Sequence, residues 1–216
     1  MADIIPVILA KDFPEFQFKL ELLRPLNTLI QIDVVDGKFA PHTTFGVPAL
    51  VKGLAMLPYE VDLMVERPLA VVDAWMSAGA ERILFHVESK DDPLLVIQTV
   101  KKYNKEVGIS LNTETPWQVL LPYIGKIDCV LFKGVHSGAS GQAFIPEVLE
   151  KIRSFHAAYP ALPIEIDGGV TLDNVQALVI AGATRLATAS ALFKTNNIQE
   201  TFYKLDELCR ISTTQK

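Results

Sequence analysis

One pattern runs the length of the chain and leaves few folds open. Short runs rich in β-branched residues alternate with stretches of helical periodicity, and eight such units can be marked. The strands are expected over residues 4–9, 29–34, 59–65, 82–87, 107–111, 129–135, 164–167 and 185–188. Helices are expected over residues 13–23, 47–56, 69–78, 93–103, 116–124, 145–158, 172–181 and 198–211. Parallel strands need a crossover connection, usually a helix, and repeated βα units supply one after every strand, the pattern of a parallel sheet clothed in helices. Eight units in 216 residues point to a single (β/α)8 TIM barrel spanning residues 1–216, with no linker and no second domain. Asp91-Asp92-Pro93 offers caps before a proline, and Thr171 is placed to cap the helix that follows it.

Composition narrows the functional classes. Half of the residues are hydrophobic and 21% are charged, which is globular. The formal charge of -5 argues against a dedicated nucleic-acid surface, so an anionic ligand has to be held by local dipoles and a few placed charges. Cys129 and Cys209 form no CxxC pair, and the N-terminal residues show no basic region followed by a long apolar run. The expectation is a soluble cytoplasmic protein with no membrane partner.

In such a barrel the chemistry belongs at the carboxyl ends of the strands. The two-residue period of a strand puts Gln31, Asp33 and Val35 on one face and Ile32 and Val34 on the other. With the apolar pair facing the helices, Asp33 faces the barrel mouth. The same alternation groups Glu60, Asp62 and Met64, then Leu131, Lys133 and Val135, then Glu165 and Asp167. Three aspartates and a lysine are thereby expected in one pocket. His86 reads as a hydrogen-bonded core histidine, His42 as a solvated loop residue with the alternative of reaching the mouth from the second loop, and Phe13, Phe16 and Phe18 as helix packing.

The segment PIEIDGGV (163–170) joins a carboxylate at a strand end to two glycines, and TASALF (188–193) ends the last strand in small residues. Glycines let backbone N–H groups approach an anion, and a following short helix adds partial positive charge. Gly168, Gly169, Ala189 and Ser190 are therefore candidates for a phosphate cradle, and a small phosphate ester is the expected ligand. Alanine is tolerated at 189 if its φ is negative.

Seven stretches in register, PVILAKDF (6–13), IDVVDGKFAP (32–41), VDLMV (61–65), FHVE (85–88), LNTETP (111–116), SGQAFIP (140–146) and EIDGGV (165–170), resemble the ribulose-phosphate 3-epimerase family over nearly the whole chain. The resemblance implies interconversion of D-ribulose 5-phosphate and D-xylulose 5-phosphate by moving a proton at C3. It implies Asp33 and Asp167 as acid and base, with a divalent metal stabilising the enediolate. It also implies that a homo-oligomer is open, since related barrels commonly assemble, although no face of this chain declares itself.

Several departures from the family pattern touch the site. The two metal-ligand histidines of the family are replaced by Gln31 and Asp62, and a family serine by Val7. Asp33, Asp62 and Asp167 with an amide favour Mg²⁺ or Mn²⁺ over Zn²⁺ if any metal binds. Lys133 stands where the family has an apolar methionine, so its ammonium is a candidate replacement for the metal's charge. The competing reading has that strand out of register, with Lys133 at a solvated end. The resemblance brings the loop 134–142 to the phosphate through the backbone of Gly141, and this loop carries Ser140 in place of a glycine and His136-Ser137 in place of an acidic or amide residue plus proline. Three functions follow: a ketose-phosphate 3-epimerase with altered or absent metal dependence, a catalytically silent phosphosugar-binding homologue, or a related decarboxylase or aldolase. Met64 breaks the Asp-x-Lys pattern of the last group.

Overall fold

Eight parallel strands close in chain order into a barrel in the computed structural model, which describes residues 2–54, 57–136 and 141–214. They are β1 (Asp3–Ile8), β2 (Ile30–Val35), β3 (Tyr59–Met64), β4 (Arg82–His86), β5 (Glu106–Leu111), β6 (Cys129–Lys133), β7 (Ile164–Asp167) and β8 (Arg185–Thr188). Closure is made by β8 against β1, with Asp3 opposite Arg185 and Pro6 opposite Thr188. The helices are α1 (Phe13–Leu23), α2 (Pro48–Lys52), α3 (Val72–Ala78), α4 (Pro93–Lys101), α5 (Val148–Ala158), α6 (Val175–Ala181), α7 (Ser190–Phe193) and α8 (Ile198–Thr214). Among the described residues no helix is long and apolar enough to cross a membrane.

The two faces of each strand have separate tasks. Outward side chains such as Ile30, Ile32, Ile83, Phe85, Ile109 and Phe132 join the main core, against which α1 lays Phe16, Leu20 and Leu23. Inward positions are partly apolar, as in the clusters of Ile5 with Val7 and Ala187 and of Leu84 with Cys129 and Leu131. Other inward positions are polar or charged, among them Gln31, Asp33, Glu60, Asp62, Arg82, Ser110, Lys133, Glu165 and Asp167. At the amino ends of the strands, Arg82 bonds the Glu60 carboxylate, donates from Nε to Glu106 Oε2 at 2.7 Å, and lies 3.5 Å from Glu165 Oε2. Glu60 and Glu165 are fully buried. Burial and the neighbouring charge of Glu60 hold the Glu165 carboxyl well above the usual carboxylate range, so Glu165 keeps a proton that it can donate toward Glu60.

Local chemistry accounts for where elements depart from the sequence expectation. The helix expected over 116–124 is a single 3-10 turn, Trp117–Leu120, because Pro122 cannot donate to a helical ladder and Gly125 turns the chain at φ 84. Trp117 anchors this stretch by an edge-on contact with Phe155 and a 3.0 Å bond from Nε1 to Ser154. The helix expected over 47–56 is only α2, closed by Gly53, and residues 55–56 lie outside the described residues. Asp92 caps α4 as expected, accepting from the Leu94 amide at 2.9 Å. Thr171 does not cap α6; the bond runs the other way, from the Thr171 amide to Asn174 Oδ1 at 2.9 Å. Phe16 is buried, whereas Phe18 is 64% exposed and belongs to no core.

The protonated Glu165 makes a sign-definite prediction. Its proton is kept in the folded state and released on unfolding once the pH exceeds about 4.5, the ordinary glutamate value, so stability falls as pH rises above that point. Glu165→Gln removes this component, and urea denaturation compared at about pH 5 and about pH 8 should show a smaller loss for the variant than for the native chain.

Candidate active site

The carboxyl ends of β2, β3, β6 and β7 deliver Asp33, Asp62, Lys133 and Asp167 to one point. All four are inward residues in neighbouring registers, Asp33 opposite Asp62 and Lys133 opposite Asp167. One carboxylate oxygen from each aspartate lies within 4.8 Å of the others. Lys133 is in register and buried, at 3% exposure, which rules out the solvated strand end. Its Nζ donates to Asp62 Oδ2 at 2.6 Å and to Asp167 Oδ2 at 2.5 Å.

A close approach of two strands makes this contact possible. The Gly134 amide donates to the Asp167 carbonyl at 2.7 Å, and a Cβ at Gly134 would collide with the Gly168 carbonyl and the Phe144 ring. Only glycine lets β6 leave the barrel so close to β7. Asp62 is held from its other side by Ser110 Oγ at 3.1 Å, with His86 Nε2 4.0 Å away. His86 is the core histidine the sequence suggests: it is fully buried, its Nδ1 sits 3.2 Å from Glu88 Oε2, and its ring packs on Phe39 at 4.6 Å.

The electrostatics divide the carboxyls. Burial, reinforced by the charges of Asp167 and Asp62, pushes the Asp33 carboxyl well above the usual range despite Lys133 and a 2.7 Å bond from Gln31 Nε2. Asp33 thus holds a proton where an exposed aspartate has lost it. Burial works against the charge of Lys133, yet Asp167, Asp62 and Asp33 together outweigh it and hold the ammonium above the usual lysine value. The site thus combines a carboxyl pushed toward its protonated form with one cation held between two carboxylates.

A cavity of about 600 Å³ stands over this group, and Asp33, Lys133 and Asp167 line it. Gly141, Gly168, Gly169, Ala189 and Ser190 line the same cavity. Gly168 and Gly169 have φ 100 and 71, whereas Ala189 has φ -107, an ordinary conformation for alanine. Residues 137–140, including the departures at Ser137 and Ser140, lie outside the described residues.

Two contributors were not legible in the sequence, and a third was read the other way. Ser110 carries no motif. Asp36 ties down the loop after β2 by accepting from the amides of Lys38, Phe39 and Glu66 at 2.8–2.9 Å. Burial works to raise its carboxyl, and the three bonds together outweigh burial and hold it below the usual range. His42, expected to be solvated, instead lines the cavity with both ring nitrogens shielded and unpartnered among the described residues.

A model of the ribulose-phosphate 3-epimerase family matches residues 3–193. The chain belongs to that family. Ribulose-phosphate 3-epimerase of Schizosaccharomyces pombe is 32% identical over 206 residues, covering 92% of this chain and 90% of the relative. The Chlamydia muridarum enzyme of the same name is 35% identical over 178 residues, covering 79% and 78%. The barrel also superposes on KGPDC from Streptococcus mutans, with a TM-score of 0.75 at 10% identity over 98% of this chain and 98% of that one, a likeness of fold.

Within the family this site is a poor fit for a divalent ion. Three carboxylates converge, but the ammonium of Lys133 is bonded to two of them at the point where a cation would sit. Gln31 turns an N–H donor toward the third, whereas a metal ligand presents a lone pair. Removing one partner of a buried ion pair leaves uncompensated charge, so Lys133→Met should lower the unfolding free energy by about 3–5 kcal/mol in urea denaturation. The variant should also gain a melting-temperature increase with Mn²⁺ that the native chain lacks, because the carboxylates then face a vacant position.

Proposed function

We propose that the chain is a metal-independent ketose-phosphate 3-epimerase, acting in the cytoplasm on a small phosphosugar such as D-ribulose 5-phosphate or D-xylulose 5-phosphate and not on nucleic acid. The observation that carries this reading is that Asp33, whose burial pushes its carboxyl toward the protonated form, and Asp167, ion-paired with Lys133, line one cavity.

Epimerisation needs a base on one face of C3 and an acid on the other. Asp167 removes the C3 proton, and the electron pair moves into a C2–C3 double bond while negative charge develops on the C2 oxygen. Asp33 returns a proton to the opposite face, and the reverse reaction exchanges the two roles. Lys133 has three N–H donors and uses two on Asp62 and Asp167. The third serves the developing oxyanion in a dry, preorganised setting, the kind of donor whose loss typically slows turnover by about 10²–10³. Asp62 and Ser110 keep the ammonium aimed. Support for the phosphate end comes from Gly141, Gly168, Gly169, Ala189 and Ser190 on the same cavity wall.

The test is incorporation of solvent deuterium at C3 of D-ribulose 5-phosphate by purified protein, before and after exhaustive chelation. Exchange should persist without metal and fall by about 10²–10⁴ in Asp167→Asn. Borohydride should trap no covalent sugar adduct, because Lys133 acts as a cation and forms no Schiff base. Absence of exchange alongside tight phosphosugar binding would instead leave a catalytically silent binder, and activity abolished by chelation would refute the role given to Lys133.

A further inference from the structure

The catalytic cavity has a neighbour. A second recess of about 870 Å³ lies beyond the ends of β1, β2 and β8, and it shares Leu9, His42, Ala189 and Ser190 with the first as a common wall. Three lysines line it: Lys11, Lys19 and Lys194. Lys19 is already engaged, paired with Glu15 at 2.7 Å and donating to the Leu9 carbonyl at 2.6 Å. Lys11 and Lys194 make no ion pair among the described residues.

Lys194 is the better placed of the two. It follows α7 directly, and its Nζ lies 2.7 Å from where a Cβ on Gly141 would stand. Gly141 lines the catalytic cavity, so this ammonium rests against the rim of the glycine cradle. On the shared wall, His42 contributes two ring nitrogens that are shielded from solvent and have no hydrogen-bond partner among the described residues. A buried polar atom left unpaired is costly, and a ligand that completes it removes the cost.

Charge balance supplies a reason for both features. With Asp33 neutral, the mouth still sets the carboxylates of Asp62 and Asp167 against the single charge of Lys133, and the whole chain carries -5. A dianionic phosphate entering such a field is repelled unless cations stand at its own end. We infer that Lys194 and His42 are side-chain ligands of the substrate phosphate, closing the backbone cradle and selecting phosphorylated over free ketoses. This rests on the proposed epimerase reading for the substrate, but not for the anion itself.

Two measurements separate those dependencies. Titration calorimetry with inorganic phosphate reports the anion site without turnover, and Lys194→Met should raise its Kd by about tenfold, the loss of one charge-assisted bond. The preference in kcat/KM for D-ribulose 5-phosphate over D-ribulose should fall by a similar factor, with Lys194→Arg restoring most of both. His42→Leu should weaken phosphate in the same direction. Unchanged phosphate affinity in both Lys194→Met and His42→Leu, each with a native melting profile, would overturn the inference. Weakened phosphate binding in a native chain that shows no C3 exchange would sustain it while the epimerase reading failed.

Discussion

A lysine ammonium enclosed by carboxylates governs the mouth of this barrel. Stripping water from an ion costs several kcal/mol, and a lone buried pair does little better than recover that cost. Two opposite unit charges about 4 Å apart attract by about 4 kcal/mol at an effective dielectric of about 20, so one partner leaves Lys133 near balance and two make its charged state secure. Asp62 and Asp167 are those two partners, at 2.6 and 2.5 Å. The ammonium therefore persists as a fixed cation, and the strands that carry its partners are drawn to one point.

The state of Asp33 follows from the same arithmetic of charge. One ammonium cannot neutralise three carboxyls, and the least costly relief in a buried site is a proton. Asp33 takes it, being the aspartate without a bond to Lys133 and with the charges of Asp167 and Asp62 nearby. In the proposed mechanism an acid and a base thus arise from chemically identical side chains through position alone. Gln31 and Asp62 fit this scheme, since one donates to Asp33 and the other anchors the cation.

The opposite end of the barrel solves a similar problem for another purpose. There Arg82 spans Glu60, Glu165 and Glu106, and a planar guanidinium with several donors satisfies partners from different strands at once. Glu60 and Glu165 are fully buried beneath it. Charge at the amino ends of the strands fastens the closed sheet, whereas charge at the carboxyl ends faces a cavity and remains available to a ligand. The separation is that of a barrel whose stability and chemistry occupy different ends.

Much of this was written into the order of residues. The two-residue period in Gln31-Ile32-Asp33-Val34 tells inward from outward without any contact being known, and the alternation of βα units leaves little but a closed parallel barrel. Hence the aspartates, Lys133 and the glycines after β7 were legible as a group. Local signals misled where tertiary contacts or a single proline decided the outcome, as in the turn at Trp117–Leu120, which Pro122 cuts short. Sequence by itself determined which side chains face the barrel axis, because that depends only on strand geometry. Only the folded barrel decided that Lys133 bonds Asp62 and Asp167, that burial pushes Asp33 toward its protonated form, and that His42 lines the cavity. Distances, burial and the sum of neighbouring charges set those properties, and each arises from residues far apart in the chain.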